Sequence, residues 1–480
     1  MKKALFGGSL AFFLLAAGFA QERFRRAPPI PDPPQELRLA AIETHLLSNG
    51  LTLAVAHRKD HPFISLELVI SAGETSSPEN LPGLAAFTAE MLSRGTALVS
   101  AAELEERIEA IGGSLSTSVT LDQTRFSFFF LDEFLDQALE ILSLMLLQPA
   151  FDEREVVALR RTQFYDLRER QRDPEFVGYR QLLRMLFQGH PCLRALYNED
   201  VFKNIGRRDI RAFYEKYYRP NNAVLVLAGN LNLTTAARKV SHYLNTWAKT
   251  DVERPVYSPP EPTNQGRICF VELPQADDLF LFLGEVIFPR ADPDAFAFSV
   301  LNQVLGGTQN SRLLLNLRES KEYAYYAFSQ TDLFRGCGIF SVRARVVPSA
   351  GSAAIQEALK EIDRIAREKV SAFEIEQAKQ FLIGRFPLQL CRLDSLAVHV
   401  SDIVSFALGD AYWNRYFENI MLVDSNKVFE VAQKYLLAKP AVVLVGNRSS
   451  LTDHLREFDR LEVYDVRGVF QYTLTKGVEE

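Results

Sequence analysis

The spacing of apolar residues predicts an amphipathic helix over Gly83–Thr96. From Leu84, apolar side chains recur at positions i, i+3, i+7 and i+8, which lie on one face of a helix. Pro82 precedes the first turn, and Gly95 suits the last one. On this pattern alone, the segment is a helix that packs one face against a core.

The two halves of the chain repeat one order of elements. Each half has an early strand, and each closes with a helical stretch followed by an apolar strand that ends in Gly-Asn. The early strands are Ser65–Ile70 and Leu279–Leu283, and the closing pairs are Phe213–Tyr218 with Ala223–Asn230 and Val431–Leu436 with Ala441–Asn447. The repetition predicts an α+β fold of two homologous domains, each an antiparallel-rich sheet packed with helices.

Proline-rich segments divide the chain. Residues 21–36 read QERFRRAPPIPDPPQE and predict an extended arm, and residues 251–264 read DVERPVYSPPEPTN and predict a linker. The predicted domains are therefore 37–250 and 265–480. Because 47% of the 480 residues are hydrophobic, the chain has enough apolar material for two cores.

The N-terminus has the layout of a cleaved secretory signal over residues 1–20. Lys2 and Lys3 precede an apolar run over residues 4–17, which is too short to cross a bilayer comfortably. A retained membrane anchor is the alternative interpretation. The signal predicts an exported bacterial protein, periplasmic or extracellular, with no stable membrane insertion after cleavage.

Net charge argues against one class of partner. The formal net charge is −6, and removing residues 1–20, which hold two lysines and no acid, gives −6 − 2 = −8 for the mature chain. Phosphate binding needs clustered basic charge. A mildly acidic chain therefore argues against nucleic acid as a partner.

The cysteines leave two interpretations open. The chain has Cys192, Cys269, Cys337 and Cys391, with no C-x-x-C pair. Export permits disulfides, whereas zinc-type spacing is absent. We favour buried free thiols, because cysteine often acts as a small core residue.

The predicted helix carries a degenerate zinc motif. Gly83–Thr96 reads GLAAFTAEMLSRGT, which resembles the zinc helix of the insulinase/pitrilysin family of inverted zinc peptidases, roughly GLAHFLEHMLFKGT. In the family motif H-x-x-E-H, the histidines bind Zn²⁺ and the glutamate activates water. Ala86 and Glu90 stand at the histidine positions, and Ala89 stands at the glutamate position. The resemblance implies a chain that binds no metal and has no cofactor of its own.

The third zinc ligand of the family, a glutamate on a later helix, is also replaced. The matching segment Glu153–Arg160 reads EREVVALR against a family pattern like E-R-x-V-V-x-x-E, so Arg160 takes the ligand position. A cation there would repel a metal ion. Another substrate-facing position has changed at Ser116, where active members tend to have asparagine on a strand beside the metal.

A second signature of the same family is retained in the second half. Leu305–Tyr325 reads LGGTQNSRLLLNLRESKEYAY and resembles L-G-G-x-x-S-S-R-L-x-x-x-L-R-E-x-x-G-x-x-Y. Arg318 and Tyr325 match the arginine and the tyrosine of that pattern, seven residues apart. Where the family often has glycine before the tyrosine, this chain has Tyr323 followed by Ala324.

The matched pair has a chemical purpose. Attack on a peptide carbonyl puts negative charge on its oxygen, and a guanidinium and a phenol aimed at that oxygen stabilise it. We expect Arg318 at the end of a helix that starts near Asn310, and Tyr325 on the following strand. The alternative is an arginine on a solvated helix face and a tyrosine with its ring in the core.

The resemblance covers about residues 37–465 and implies a function. In the bacterial and mitochondrial branch, similar to mitochondrial processing peptidase, a zinc subunit pairs with a homologous zinc-less subunit into a clam-shaped chamber, and the zinc-less subunit supplies the Arg/Tyr pair. This chain resembles that subunit, which implies a chain inactive alone, zinc in the partner, and a peptide or unfolded segment as substrate. The alternative is a non-catalytic structural or peptide-binding scaffold of the same fold.

Overall fold

The computed structural model describes residues 42–253, 259–260, 266–409, 411–413, 415–436, 439–448, 459–475 and 478–479. These residues belong to one compact unit. The predicted signal segment 1–20 and the arm 21–36 lie outside the described residues, as does most of the linker 251–264. The predicted domain boundaries therefore stay predictions.

The first half is built on a six-stranded sheet. Its central strands are buried on both faces, which matches their nearly continuous apolar sequences. Only β2 and β6 pair in parallel. In spatial order, the strands are β1 (Ile42–Leu46), β2 (Thr52–His57), β6 (Ala223–Gly229), β3 (Phe63–Ile70), β5 (Thr124–Leu131) and β4 (Ser114–Val119).

The second half contains an eight-stranded sheet. Strand β7 pairs in parallel with both β11 and β12, and the other neighbours are antiparallel. In spatial order, the strands are β14 (Val478–Glu479), β13 (Phe470–Thr475), β12 (Arg460–Tyr464), β7 (Ile268–Glu272), β11 (Ala441–Gly446), β8 (Leu279–Ile287), β10 (Gly338–Val346) and β9 (Ala324–Leu333).

The two sheets repeat one topology. The order β2-β6-β3-β5-β4 of the first sheet recurs as β7-β11-β8-β10-β9 in the second, with the parallel pair at the same place. This repetition confirms the predicted α+β fold of two homologous sheet-and-helix layers. Strands β4 and β9 are equivalent, and each lies at a sheet edge.

Helices follow the same repeated plan. Those of the first half are α1 (Leu84–Leu92), α2 (Ala101–Ala110), α3 (Leu135–Leu147), α4 (Glu153–Arg170), α5 (Pro174–Leu186), α6 (Arg207–Tyr217) and α7 (Leu233–Leu244). Those of the second half are α8 (Ala295–Asn302), α9 (Gly351–Arg367), α10 (Ala372–Leu390), α11 (Leu393–Ser405), α12 (Tyr416–Met421) and α13 (Ser425–Leu436). Within the part of the chain that the structure describes, no helix has the length and apolar character to span a membrane.

The halves exchange helices. Helix α5 of the first half packs on β8 and β11 of the second sheet, and α11 of the second half packs on β3 and β6 of the first sheet. Contact is close at Gly178 of α5, where an added Cβ would lie 2.0 Å from the Phe282 ring. Each fully buried valine or leucine in these layers contributes about 1.5 to 3 kcal/mol, so the exchange joins both halves strongly.

Polar contacts also join the halves beside α11. Arg125 of β5 forms an ion pair with Asp402 at 2.5 Å and donates a hydrogen bond to the Ser401 hydroxyl at 2.7 Å. The Gln123 amide donates to the Ser405 hydroxyl at 3.0 Å. Because these side chains are largely buried, their bonds fix the direction of α11 on the sheet.

The close contact at Gly178 generates a prediction about stability. Gly178→Ala should lower the free energy of unfolding by about 1 to 3 kcal/mol, because the new methyl group meets the Phe282 ring. Gly384→Ala in α10 is the matched control, because no atom lies within 4 Å of its added Cβ, and it should gain up to about 1 kcal/mol. Thermal unfolding followed by circular dichroism measures both, and shifts of the same sign would contradict the prediction.

Candidate functional site

Helix α1 begins at a left-handed residue beside a buried carboxylate. Gly83 has φ 85°, and an added Cβ there would lie 2.6 Å from the Tyr197 ring. The Glu74 carboxylate accepts hydrogen bonds from the Ala86 amide at 3.2 Å and from the Ser77 hydroxyl at 3.1 Å. Burial raises the pKa of Glu74 to about 7, although these bonds oppose the rise. Residues upstream of the degenerate motif therefore fix where its helix starts.

The degenerate motif faces a cavity of about 840 Å³ between the two halves. Ala86 and Glu90 line this cavity, whereas Ala89 is buried in the core of the first half. The lining also includes Thr117 and Val119 of β4 and the two residues after it, 120–121, and residues 330–334 of β9 and the following turn form part of the opposite wall. The edge strands of both sheets therefore border one cavity.

The donor set at the motif does not fit a zinc ion. Ala86 and Ala89 offer no side-chain ligand, and Glu90 is the only carboxylate of the three positions. Burial raises the pKa of Glu90, Arg94 opposes the rise, and Asp166 adds to it. In the described part of the chain, no group of three His, Cys, Asp or Glu side chains is arranged to hold a metal.

Arg160 does not reach this cavity. Its guanidinium donates a hydrogen bond to the Ile205 carbonyl at 2.8 Å. Arg160 itself lies about one turn before the part of α4 that faces the cavity. The next turns of α4 supply the lining residues Gln163, Leu167 and Arg170. Asp166, on the same helical face, lies close enough to influence Glu90. The sequence motif does not include Asp166. Helical spacing along α4 predicts its position, because it lies on the same face as the lining residues.

Arginines bring positive charge to the same cavity. Arg180 donates a hydrogen bond to the Tyr197 carbonyl, and the guanidinium groups of Arg170 and Arg180 lie 4.2 and 5.1 Å from the centre of the Phe176 ring. Burial and the neighbouring Arg184 lower the pKa of Arg180 to about 10. Arg180 therefore stays charged at neutral pH, within the same cavity as Glu74 and Glu90.

Tyr179 connects the two halves across the cavity. Its hydroxyl donates to the Asp332 carboxylate at 2.6 Å, and the Arg343 guanidinium lies 4.2 Å from its ring centre. Burial and Asp332 raise the pKa of Tyr179, so it stays a neutral phenol. The described residues that line the cavity include no cysteine, serine or histidine. This wall is suited to binding polar groups.

Arg318 and Tyr325 lie outside the cavity lining and are open to solvent. Arg318 belongs to a helical turn over Leu315–Ser320, and Tyr325 is the second residue of β9. The Arg318 side chain is 50% exposed and Tyr325 is 54% exposed, so the tyrosine ring is not in the core. Among the described residues, no hydrogen bond or ring contact joins the two side chains.

A second arginine accompanies Tyr325. The Arg345 guanidinium lies 5.1 Å from the Tyr325 ring centre and forms an ion pair with Asp278 at 2.5 Å. Arg345 lies opposite Tyr326 on the neighbouring strand, and the strand register shifts just after this pair. The shift places Tyr325 next to Arg345 as well. The linear signature contains no sign of this contact, because it depends on strand pairing.

The turn between Arg318 and Tyr325 corrects one detail of the sequence comparison. The residue with positive φ is Glu322, at 56°, in the left-handed region that favours glycine. Counted from Arg318, the glycine of the family signature falls on Glu322, so the departure lies there and not at Tyr323. The strained turn still forms, because the Tyr323 amide bonds the Leu317 carbonyl at 2.8 Å.

Comparisons with known proteins agree with this architecture. Residues 52–200 match the family model described as insulinase, peptidase family M16, and residues 204–382 match the model described as peptidase M16 inactive domain. The chain belongs to the M16 family. It is a peptidase-like M16 homologue without the zinc motif, which confirms the resemblance inferred from the sequence.

Several M16 relatives match most of the chain. The uncharacterized zinc protease YmxG of Bacillus subtilis is 22% identical over 73% of this chain and 84% of its own length. The non-peptidase homolog YmxG of Helicobacter pylori is 22% identical over 73% of this chain and 81% of its own length.

Solved structures share the M16 fold. A protease from Helicobacter pylori superposes with a TM-score of 0.80 at 19% identity, covering 85% of this chain and all of the other. A peptidase M16 inactive domain from Pseudomonas fluorescens gives 0.79 at 20% identity, covering 85% and 98%. At this identity the likeness establishes the fold.

The buried Glu74 predicts a pH dependence of stability. Folded Glu74 keeps its proton up to about pH 7, whereas its ordinary pKa is 4.5, so the folded state binds more protons between these values. Wild type should therefore lose stability relative to Glu74→Gln as pH rises through this window, by up to about 3 kcal/mol. Urea unfolding at pH 4.5 and pH 7 measures the difference.

Other buried acids serve as internal controls for this measurement. Burial also raises the pKa of Glu67 and of Glu285 to about 7. Wild type and the Glu74→Gln variant both contain these two residues, so their effects on stability cancel in the comparison. A stability difference that stays constant from pH 4.5 to pH 7 would show that Glu74 titrates normally.

Proposed function

We propose that this chain is the zinc-free subunit of an exported heterodimeric zinc metallopeptidase and has no peptidase activity alone. One contrast carries the proposal. The motif positions Ala86, Ala89 and Glu90 lack a ligand set, while Arg318 and Tyr325 are retained and solvent-exposed. Groups that act on a substrate held by another subunit must be exposed in the isolated chain, and these two are.

In the proposed complex, the homologous partner holds zinc, which supplies the activated water. Arg318 and Tyr325 donate hydrogen bonds to the carbonyl oxygen of the scissile peptide as negative charge develops there. Arg345 acts as a positioning residue, because its guanidinium lies over the Tyr325 ring while Asp278 holds it from the other side.

The two edge strands support a peptide or an unfolded segment as substrate. An extended chain can add to the free edge of a sheet through main-chain hydrogen bonds, with no fixed sequence. Among the described strands, β4 and β9 each pair on one side only, and both border the cavity. A segment that enters the cavity therefore finds two strands with which it can pair.

A peptide-binding scaffold is the second candidate. The polar cavity favours this candidate, because the charged side chains of Arg180 and Glu90 can interact with a bound segment. The described residues of the cavity wall form no catalytic arrangement. The scaffold has no use for an exposed Arg318 and Tyr325, however. The two candidates therefore differ in what happens when that pair is removed.

Co-expression with a homologous exported subunit that carries H-x-x-E-H tests the proposal. We expect one complex by size exclusion, with an interface above about 1,000 Å², zinc close to one per complex and well under one in the isolated chain. In that complex, Arg318→Ala or Tyr325→Phe should lower kcat and kcat/KM together by roughly 10- to 1000-fold, because their bonds form in the transition state.

The control is Lys321→Ala, which removes a neighbouring exposed cation and should leave kcat unchanged. Zinc content and elution volume of every variant complex should match wild type, which separates catalysis from assembly. Full activity in the Arg318→Ala/Tyr325→Phe double variant would favour the scaffold. Stoichiometric zinc in the isolated chain would overturn the zinc-free assignment itself.

Export is part of the proposal and has its own measurement. The lysine-led apolar segment over residues 1–20 supports cleavage of a signal, so mature protein from a bacterial host should begin at or near Gln21. N-terminal sequencing of the periplasmic or extracellular fraction measures this. Recovery of Met1 on a membrane-bound form would indicate a retained anchor.

A further inference from the structure

A second cavity lies on the other face of the first sheet. It has a volume of about 780 Å³, and the start of α11 with the turn before it forms one wall. Thr117 and Val119 of β4 line the cavity at the degenerate motif, whereas Ser114 and Ser116 line this second cavity. Successive residues of a strand point to opposite faces of the sheet. The second cavity is therefore separate from the first, and its volume suits a small molecule.

A row of polar side chains leads from the sheet edge into the second cavity. Glu67 of β3 lies opposite Ser127 of β5, and Ser127 lies opposite Ser116 of β4. All three residues line the cavity. Ser116 is exposed, whereas Glu67 is 1% exposed. The row therefore ends at a carboxyl group that is buried between the sheet and α11.

The Glu67 carboxyl group has an unused hydrogen-bond acceptor. Its Oε2 atom is buried and bonds to no group among the described residues. Burial raises the pKa of Glu67 to about 7, although the Ser127 hydroxyl and Arg125 oppose the rise. A buried polar atom without a partner costs stability, so such atoms are rare in folded proteins. The empty acceptor indicates a place for a donor from a ligand.

The arginines around Glu67 already have acidic partners. Arg125 forms an ion pair with Asp402 at 2.5 Å, and Arg392 forms one with Asp394 at 2.5 Å. These pairs leave the Glu67 carboxylate without a cation of its own in the described part of the chain. The charge that is missing from this cavity is therefore positive.

The second cavity does not suit a metal ion. His61, His399 and Cys391 line it together with the acids, but no three His, Cys, Asp or Glu side chains of the described residues are arranged to hold a metal. Burial lowers the pKa of His399, so its ring is neutral in mildly alkaline solution and does not repel a cation. An organic cation fits these side chains better.

Two partly exposed aromatic rings line the same cavity. Phe63 and Phe129 are each 36% exposed, and their ring centres lie 5.2 Å apart in a stacked arrangement. Aromatic faces attract both hydrocarbon groups and cations. The cavity thus combines an apolar surface with a buried acid.

We propose that the second cavity binds a small primary amine in its protonated form. The ammonium group donates hydrogen bonds to Oε2 of Glu67 and to the Ser127 hydroxyl, and the apolar part of the molecule packs against Phe63 and Phe129. Binding gives Glu67 both a hydrogen-bond donor and a counter-charge. The site is separate from the cavity at the degenerate motif, so the inference does not depend on the zinc-free subunit proposed above.

Calorimetric titration of the wild-type chain at pH 8 tests the recognition of charge. The probe is phenethylamine, and 2-phenylethanol is its neutral analogue of the same shape. We expect phenethylamine to bind with a Kd below about 1 mM and the alcohol to bind at least about 10-fold more weakly. Equal affinity for the two compounds, or no binding of the amine, would overturn the proposal.

Cys391 reports where the amine binds. It is the exposed one of the four cysteines and lines the second cavity, whereas the other three are buried. Bound phenethylamine should slow the alkylation of Cys391 by iodoacetamide in proportion to the occupied fraction of the protein, as measured by mass spectrometry. Heat of binding without protection of Cys391 would place the ligand elsewhere and contradict the proposal.

A matched pair of variants tests the role of the carboxylate. Glu67→Gln keeps the shape of the side chain but removes its charge, and it should weaken phenethylamine binding by at least about 10-fold. Glu285→Gln is the control, because Glu285 also has a buried oxygen without a partner among the described residues but does not line this cavity. Its affinity should match wild type.

Circular dichroism shows whether each variant is folded. Unchanged affinity in folded Glu67→Gln protein would show that the carboxylate does not bind the amine. The comparison of amine and alcohol uses wild-type protein, so it decides the question even where Glu67→Gln folds poorly.

Discussion

Each half of this chain covers one face of its sheet with a helix that belongs to the other half. A sheet with helices on one side only leaves its second apolar face open to water. Here α11 covers Ala56 and Val226 of the first sheet, and α5 covers Phe282 and Val443 of the second. Neither half can separate without exposing such a face, so the halves behave as one body.

This exchange also determines where a binding site can exist. The cavity lies where β4, β9 and α5 come together, and its walls come from both halves. Helix α1 keeps its place because its apolar face, including Phe87 and Met91, is buried in the core. Ala86 and Glu90 face the cavity, so the loss of zinc ligands there costs the fold no packing. The fold of the family therefore forms without zinc ligands at these positions.

Periodicity and repetition predicted much of this structure. The apolar spacing identified α1, and the similar closing segments of the two halves identified the duplicated fold, because both signals are local. The exchange of α5 and α11 was not predictable, since a pattern shows which face is apolar but not which element covers it. The same limit applies to Arg160, to the left-handed Glu322 and to Arg345 beside Tyr325, whose positions depend on turn geometry and strand pairing.

Strand β4 reads SLSTSV, with side chains that alternate between exposed and half-buried. Its exposed positions are the serines and not large apolar groups, although none of the described strands pairs with its outer edge. The exposed serine hydroxyl groups form hydrogen bonds with water, so they do not favour contact with a particular neighbouring strand. Another molecule that approached this edge would find main-chain groups but no exposed apolar side chains to bury, which lowers the tendency of the strand to aggregate.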